Sequence, residues 1–429
     1  MAVGVMSMEN GYLLLVLAVA IVNIGMEVVQ RVNNYPFVLY RMPGEFPLAS
    51  FKFKKCIMKN SILGICVVIL LMMSGCQLIM DKQTILPVLD LGATIGYFVP
   101  DTFVWNNVAK RVSYLPVSTT DNVLLALARP VYIGKDFHYM VDHKTSTVFR
   151  VDKKGKIISS FSKKGQGPGE YVDLTYVHVE PENRMVCVYD QKRNKYIMYD
   201  LDGNFIQEIS FAEKKINTPL LITSDYALVK GVDGGSECKL YLTDKTFNIE
   251  KGIFPLDMSL TDMERLCLIW RINYCRNRDQ AIVHYADEDT VFTVTKGGIS
   301  PICILEKGAY KLPPEKAKEL LAGDSPYLQA MGLSLISNYY VVSYLFKNKS
   351  YDEIWDKANN RILSRFSNEG GKFGIPFRLP NGKKTWINTR SLYIDSNAVA
   401  FSIGADVASE GGVPGVDEDG NPVLVIMEL

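Results

Sequence analysis

The chain has no excess of either charge: 47 Lys and Arg stand against 46 Asp and Glu in 429 residues. A nucleic-acid partner would require a basic face or stripe, so this balance points away from one. Histidine is scarce. The four present, His138, His143, His178 and His284, fall in no H-E-x-x-H or comparable spacing, so no metal site can be read within one segment. Eight cysteines include no C-x-x-C pair, which argues against a zinc site and against a full disulfide framework. Cys267 and Cys275 could pair in an oxidising compartment, but two buried free thiols are the expectation. There is no G-x-S-x-G, and no Ser, His and Asp set stands out; no catalytic residue is assigned.

One stretch imitates a phosphate cradle. SKKGQGPGEY, residues 162–171, carries Gly165, Gly167 and Gly169, but the spacing fits neither the dinucleotide fingerprint nor the Walker pattern. A cradle also needs a helix to follow. Here YVDLTYVHV follows, which favours a strand, and Pro168 withholds a backbone donor. The stretch reads as a connector.

What the chain does have is apolar and aromatic residues, 48% and 11%, with 32 glycines, a mixture that leans toward β structure. It also has a repeat. FHYMVDHKTSTVFRVDKKGKIISSF, from Phe137, aligns with RMVCVYDQKRNKYIMYDLDGNFIQEI, from Arg184: Asp142 matches Asp190, Asp152 matches Asp200 and Gly155 matches Gly203, each 48 residues on. Each unit reads as strand, polar turn, strand, tight turn, strand, with Asp and Gly where the chain reverses. Fainter copies follow at 226–254, 281–305 and 338–366, where Asp287, Glu288 and Asp289 read as the polar tip of a hairpin. DEDGNP, from Asp417, reads as a solvated turn, and LPPEKAKELLAG, from Leu312, as a short helix inserted between units. Repeats of about 40 to 50 residues, four strands each, predict propeller blades that are stable only when stacked around an axis. The length available predicts six, with five and seven as the alternatives.

The first 84 residues stand apart. After Lys52, Lys54, Lys55 and Lys59 comes the apolar run from Ile62 to Met73, then Ser74, Gly75 and Cys76. A basic region followed by about a dozen apolar residues is signal-peptide architecture. The segment resembles a bacterial lipoprotein signal, with Met73 at the Leu position of the lipobox; the resemblance implies that Cys76 is the acylated first residue of the mature protein. The expected division is 1–57 as an upstream artefact or non-native leader with translation starting at Met58, 58–75 as signal peptide, 76–84 as tether and 85–429 as propeller.

VAKRVSYLPVST, the two aligned units, the glycine loop, DTVFTVTKGGISP, KGAYKLPPE and the closing NPVLVIMEL together resemble the six-bladed β-propeller lipoproteins of Bacteroides and relatives. The resemblance implies an all-β fold of four-stranded antiparallel blades at the cell envelope, an outer-membrane lipoprotein in the periplasmic or surface leaflet. The expected function is binding of a small molecule, glycan or partner protein at the axial face, with the membrane engaged through the lipid on Cys76. No cofactor is expected. The competing expectation is a metal-assisted hydrolase or lyase with calcium held by axial carboxylates from several blades, a ligand set that spacing within one repeat cannot display. Trp270 and Arg271, in the least strand-like segment, CLIWRINYC, are the candidate ligand surface.

Overall fold

The computed structural model describes residues 6–7, 13–14, 86–118, 123–126, 128–180, 182–212, 214, 216–232, 236–270, 272–277, 280–321, 324–368 and 373–429. Cys76 and the signal segment lie outside them. The chain divides into two units, 1–82 and 83–429. In the first, Met6–Ser7 pairs with Leu13–Leu14. The second is a six-bladed propeller of four-stranded antiparallel sheets.

Blades one to five follow one another along the chain, at 128–161, 176–210, 216–255, 273–306 and 329–367. The sixth is built from both ends: Tyr393–Ile394, Ala398–Ile403 and Val423–Glu428 form its inner three strands, and Arg111–Pro116 supplies the outermost. Blade four gains a fifth strand, Val88–Asp90, parallel to Gly298–Glu306. A separate hairpin, Ile375–Arg378 with Lys384–Ile387, lies between blades five and six. The sequence did not announce the shared sixth blade, because its fourth strand sits about 280 residues upstream of the first three.

The repeated residues have separable jobs. Asp142 and Asp190 are fully buried at the ends of second strands. Each reaches back to the chain entering its own blade: Ala126 N donates to Asp142 Oδ2 and Val172 N to Asp190 Oδ2, both at 2.7 Å. Asp152 and Asp200 fold the tight turns instead, accepting from the amides of Lys154 and Lys156, and of Asp202 and Asn204, at 2.8–3.0 Å. Gly155 and Gly203 complete these turns at φ of 88° and 84°, where a side chain is strained. In blade three Asp244 makes the same turn, but Phe247 takes the glycine's place at φ 62°. Its ring lies 4.9 Å from that of Tyr196 and 4.6 Å from that of Phe211. That packing offsets the strain and explains why the third copy is faint in the sequence.

The core lies between blades. Tyr139, Val141 and Val148 of blade one pack with Val177, Val186 and Ile197 of blade two, and comparable clusters join two to three, three to four, four to five and five to six. Met140, Phe149 and Val151 of blade one meet Ala400 and Leu424 of blade six, which closes the ring. The glycine stretch crosses from Ile157–Phe161 to Tyr176–Glu180, pinned by Tyr171 Oη to Ser146 O and by Tyr199 Oη to Gly169 O, each 2.8 Å. Between blades three and four runs the helix Asp262–Trp270, capped reciprocally by Thr261 and Glu264. The segment after Leu312 forms a 3-10 helix, Pro314–Leu321, between blades four and five. The two insertions share a small core of Cys267, Leu268, Ala317 and Leu320, tied by Lys318 to Glu264 at 3.1 Å. No disulfide joins the described cysteines, Cys267 and Cys275 among them.

Two turns read as polar from the sequence are so, with Asp417, Glu418, Asp419 and Glu288 exposed, but each also carries a buried contact. Asn421 is 3% exposed and binds Leu125 N, Ser118 O and Val123 O at 2.8–3.0 Å, stapling the loop before blade one to blade six. Asp287 receives both bonds of buried Lys239, 2.8 and 3.0 Å, and Asp289 faces buried Lys307 at 3.2 Å. Beneath this hairpin His284 is enclosed, and burial, reinforced by the charge of Lys307, holds its pKa well below the usual value. Burial lowers that of His138 as well, against the pull of Asp152. Both imidazoles are therefore neutral when folded and protonate more readily when unfolded, so stability is intact above about pH 6.5 and falls as pH drops below it. Buried Asp352, whose pKa is raised, acts in the opposite sense at lower pH. Melting temperature should decline between pH 7 and 5, and His284→Leu should flatten that decline; an unchanged melting point across the window would contradict the assignment.

Candidate functional site

The inner strands, Ala128–Ile133, Tyr176–Glu180, Ile216–Ile222, Asn273–Asn277, Gln329–Ile336 and Tyr393–Ile394, surround the axis. All six contribute to the wall of a cavity of about 840 Å³, within the usual range for small-ligand sites. A four-stranded meander returns the chain to the face on which it began, so every inner strand runs the same way along the axis. Residues at strand starts gather at one end of the cavity, and residues at strand ends gather at the other.

This sorting separates charge. Arg129, second in its strand, and Arg390, just before Tyr393, lie at the strand-start end with Thr175, Thr389 and Ser391. Glu180, Glu182, Thr223, Ser224 and Asp395 lie at the opposite end. Tyr176, His178 and Glu180 alternate onto one face of blade two's inner strand. The first two rings are stacked, 6.5 Å apart and 3° from parallel, and His178 Nε2 is 3.6 Å from Glu180 Oε1. Burial opposes ionisation of Glu180, but the neighbouring His178, a 2.7 Å hydrogen bond from Asn183 and the charge of Lys245 outweigh it and hold the carboxyl below its usual range. Asp395 accepts from Asn397 N at 2.7 Å, Ala398 N at 2.8 Å and Tyr393 Oη at 3.2 Å.

The wall opens where blade five presents Gly332. A Cβ built there meets nothing within 4 Å, and the cavity reaches past it to Ser343 on the second strand. Behind Ser343 lies Asp352, 3% exposed. Burial raises its pKa, against hydrogen bonds from Ser343 and Thr389 and the nearby charge of Arg390. Ser334 Oγ, also on the wall, donates to Cys275 Sγ at 3.3 Å.

His143 and His178 both line this cavity, while His138 and His284 are buried elsewhere. The sequence could not single out the lining pair, since they come from different blades and share no spacing. Trp270 ends the helix between blades three and four; its side chain and Arg271 lie outside the described residues. Trp105 and Trp355 are core residues. Among the described residues no group of three or more His, Cys, Asp or Glu is placed to hold a metal ion. Of the three lining carboxylates, Glu180 is held by its neighbours on the same blade, Asp395 caps its own turn and Glu182 is exposed, and they do not form such a group.

No curated protein matches the chain. Among solved structures, a Bacteroides fragilis protein inferred to be exported is 14% identical, with a TM-score of 0.54, over 79% of this chain and 98% of that one. A Bacteroides vulgatus member of the DUF4221 family is 11% identical over 75% and 96% of the two chains, with a TM-score of 0.42. The first of these shares the propeller fold. Residues 96–428, from just before the strand that completes blade six to that blade's last paired residue, match the domain of unknown function DUF4934: the chain belongs to that family.

Proposed function

We propose that this protein is an envelope lipoprotein, anchored by acylated Cys76, whose propeller binds a ligand in its axial cavity without a catalytic step. The observation that carries the reading is the cavity itself: about 840 Å³, walled by all six blades, open at Gly332 and lined by tyrosines, hydroxyls and oppositely charged ends. Such a site recognises through many fixed contacts. Two of its three wall carboxylates, Glu180 and Asp395, are committed to local partners, and the third, Glu182, is exposed at the strand-end mouth, so the site is read as one of recognition.

The anchor and the cavity are tested separately. Expressed from its natural gene, the protein should be membrane-associated with lipid on Cys76, and Cys76→Ala should abolish lipidation; an N-terminal peptide from upstream of Met58 would overturn the start assignment. For the cavity, full-length protein is incubated with fractionated cell extract and the retained compounds are identified by mass spectrometry. A ligand held at 100 times its Kd should stabilise the fold by about 2.7 kcal/mol. The double variant Thr223→Trp, Ser391→Trp, which fills the cavity from both ends, should retain none of it. Equal retention by the filled variant would defeat the reading.

A further inference from the structure

The opening at Gly332 has a chemical polarity. Ser343 Oγ and Thr389 Oγ1 each own one hydrogen, and both donate to Asp352 Oδ1, Thr389 at 2.9 Å. The two hydroxyl oxygens stand 3.1 Å apart. With both hydrogens spent on the carboxylate, what faces the cavity is a pair of acceptor lone pairs. A ligand group that reaches them must bring a donor. Asp352 is nearly fully buried and Ser343 is 8% exposed, so the arrangement is fixed before any ligand arrives, which lowers the ordering cost of binding.

The donor's charge is also constrained. Thr389 and Arg390 share one 3-10 turn, Thr389–Ser391, and the Arg390 charge acts on Asp352. Arg129 lies at the same end of the cavity. One carboxylate beside two guanidiniums disfavours an ammonium ion. An anionic group is met by the arginines but repelled by the lone pairs. A neutral hydroxyl satisfies both. Tyr274 and Tyr393 line the same cavity and supply aromatic faces for the apolar side of a ring.

We propose that the wall in front of Gly332 is a saccharide subsite, in which Ser343 and Thr389 accept hydrogen bonds from ring hydroxyls and Asp352, behind them, fixes both acceptors. The inference rests on the axial cavity being a ligand site and names the class of ligand it takes.

The test is calorimetric titration of full-length protein with glucose, galactose, mannose, xylose, glucosamine, glucuronic acid and their short oligomers. At least one neutral sugar or uronic acid should bind. Gly332→Val should weaken it about tenfold or more, the equivalent of one hydrogen bond or more lost, with an unchanged melting temperature because the new side chain enters open space. Ser343→Ala with Thr389→Val should do the same, and a monodeoxy analogue lacking the bound hydroxyl should lose a similar factor in wild type but not in Gly332→Val. Full-affinity sugar binding by Gly332→Val would overturn the subsite. If no sugar binds while another compound is retained by wild type and lost from the tryptophan-filled variant, the saccharide class is wrong and the cavity reading stands. If nothing is retained at all, both fall.

Discussion

A chain that starts at Ser118 should fail to fold, whereas one that starts at Gln83 should melt like the full-length chain. The reason is the path of residues 86–116. This segment adds Val88–Asp90 to the outer edge of blade four, gives the carbonyls of Thr94 and Tyr97 to Arg365 of blade five, and donates Phe103 N to Ser364 Oγ at 3.1 Å. It then buries Trp105 and Val108 against the hairpin and blade six, and finally pairs Arg111–Pro116 with Val423–Glu428. It is a belt over half the ring, fastened by the strand that closes it. Losing one buried Phe or Trp side chain costs about 3–5 kcal/mol; removing two of them with a six-residue ladder would exceed most of a stability of about 5–15 kcal/mol. The measurement is a thermal or urea melt of both truncations. A cooperative transition for the Ser118 chain within a few degrees of the longer one would show that the belt is dispensable.

The repeat made the blades legible because its signals stay within one blade: Asp152 and Gly155 act within a few residues of themselves, Asp142 reaches back only to Ala126, and their partners 48 residues on do the same work. Where a turn is solved by packing instead, as at Phe247, the pattern fades although the fold does not. The sixth blade was illegible for a topological reason, its strands coming from both ends of the chain. The cavity was illegible for a related one. Tyr176, Gly332, Thr389 and Arg390 come from three places in the sequence, and no one of them is unusual where it stands. The polar turns at DEDGNP and Asp287 could be read, but the burial of Asn421 and the pairing of Lys239 could not, since both depend on neighbours brought in by the ring. CLIWRINYC stands out of the strand pattern. Being out of pattern marked an inserted helix.

Replacing Glu353 by Leu should cost about 3–5 kcal/mol, the range for breaking a buried charge pair by removing one partner. Glu353 is fully buried in blade five and takes three donors: Tyr344 Oη and Arg365 Nε on Oε1, both 2.7 Å, and Trp355 Nε1 on Oε2 at 2.8 Å. Without it the Arg365 guanidinium, whose side chain is 11% exposed, loses its counter-ion, and two other donors are orphaned. The same guanidinium holds Tyr97 O at 3.0 Å and Thr94 O at 2.9 Å, so the carboxylate that orders blade five also orders the belt. The expected fall in melting temperature is about 5–15 °C for a domain of this size. Two controls separate the causes. Arg365→Leu alone leaves the carboxylate two donors but frees the belt, and should expose 94–104 to protease below the global transition. Glu353→Leu with Arg365→Leu removes both charges and should recover part of the loss, a coupling of about 1–3 kcal/mol in a double-mutant cycle. Strict additivity of the two single variants, or a Glu353→Leu protein within about 1 kcal/mol of wild type, would mean that the belt is held by its strand pairing alone.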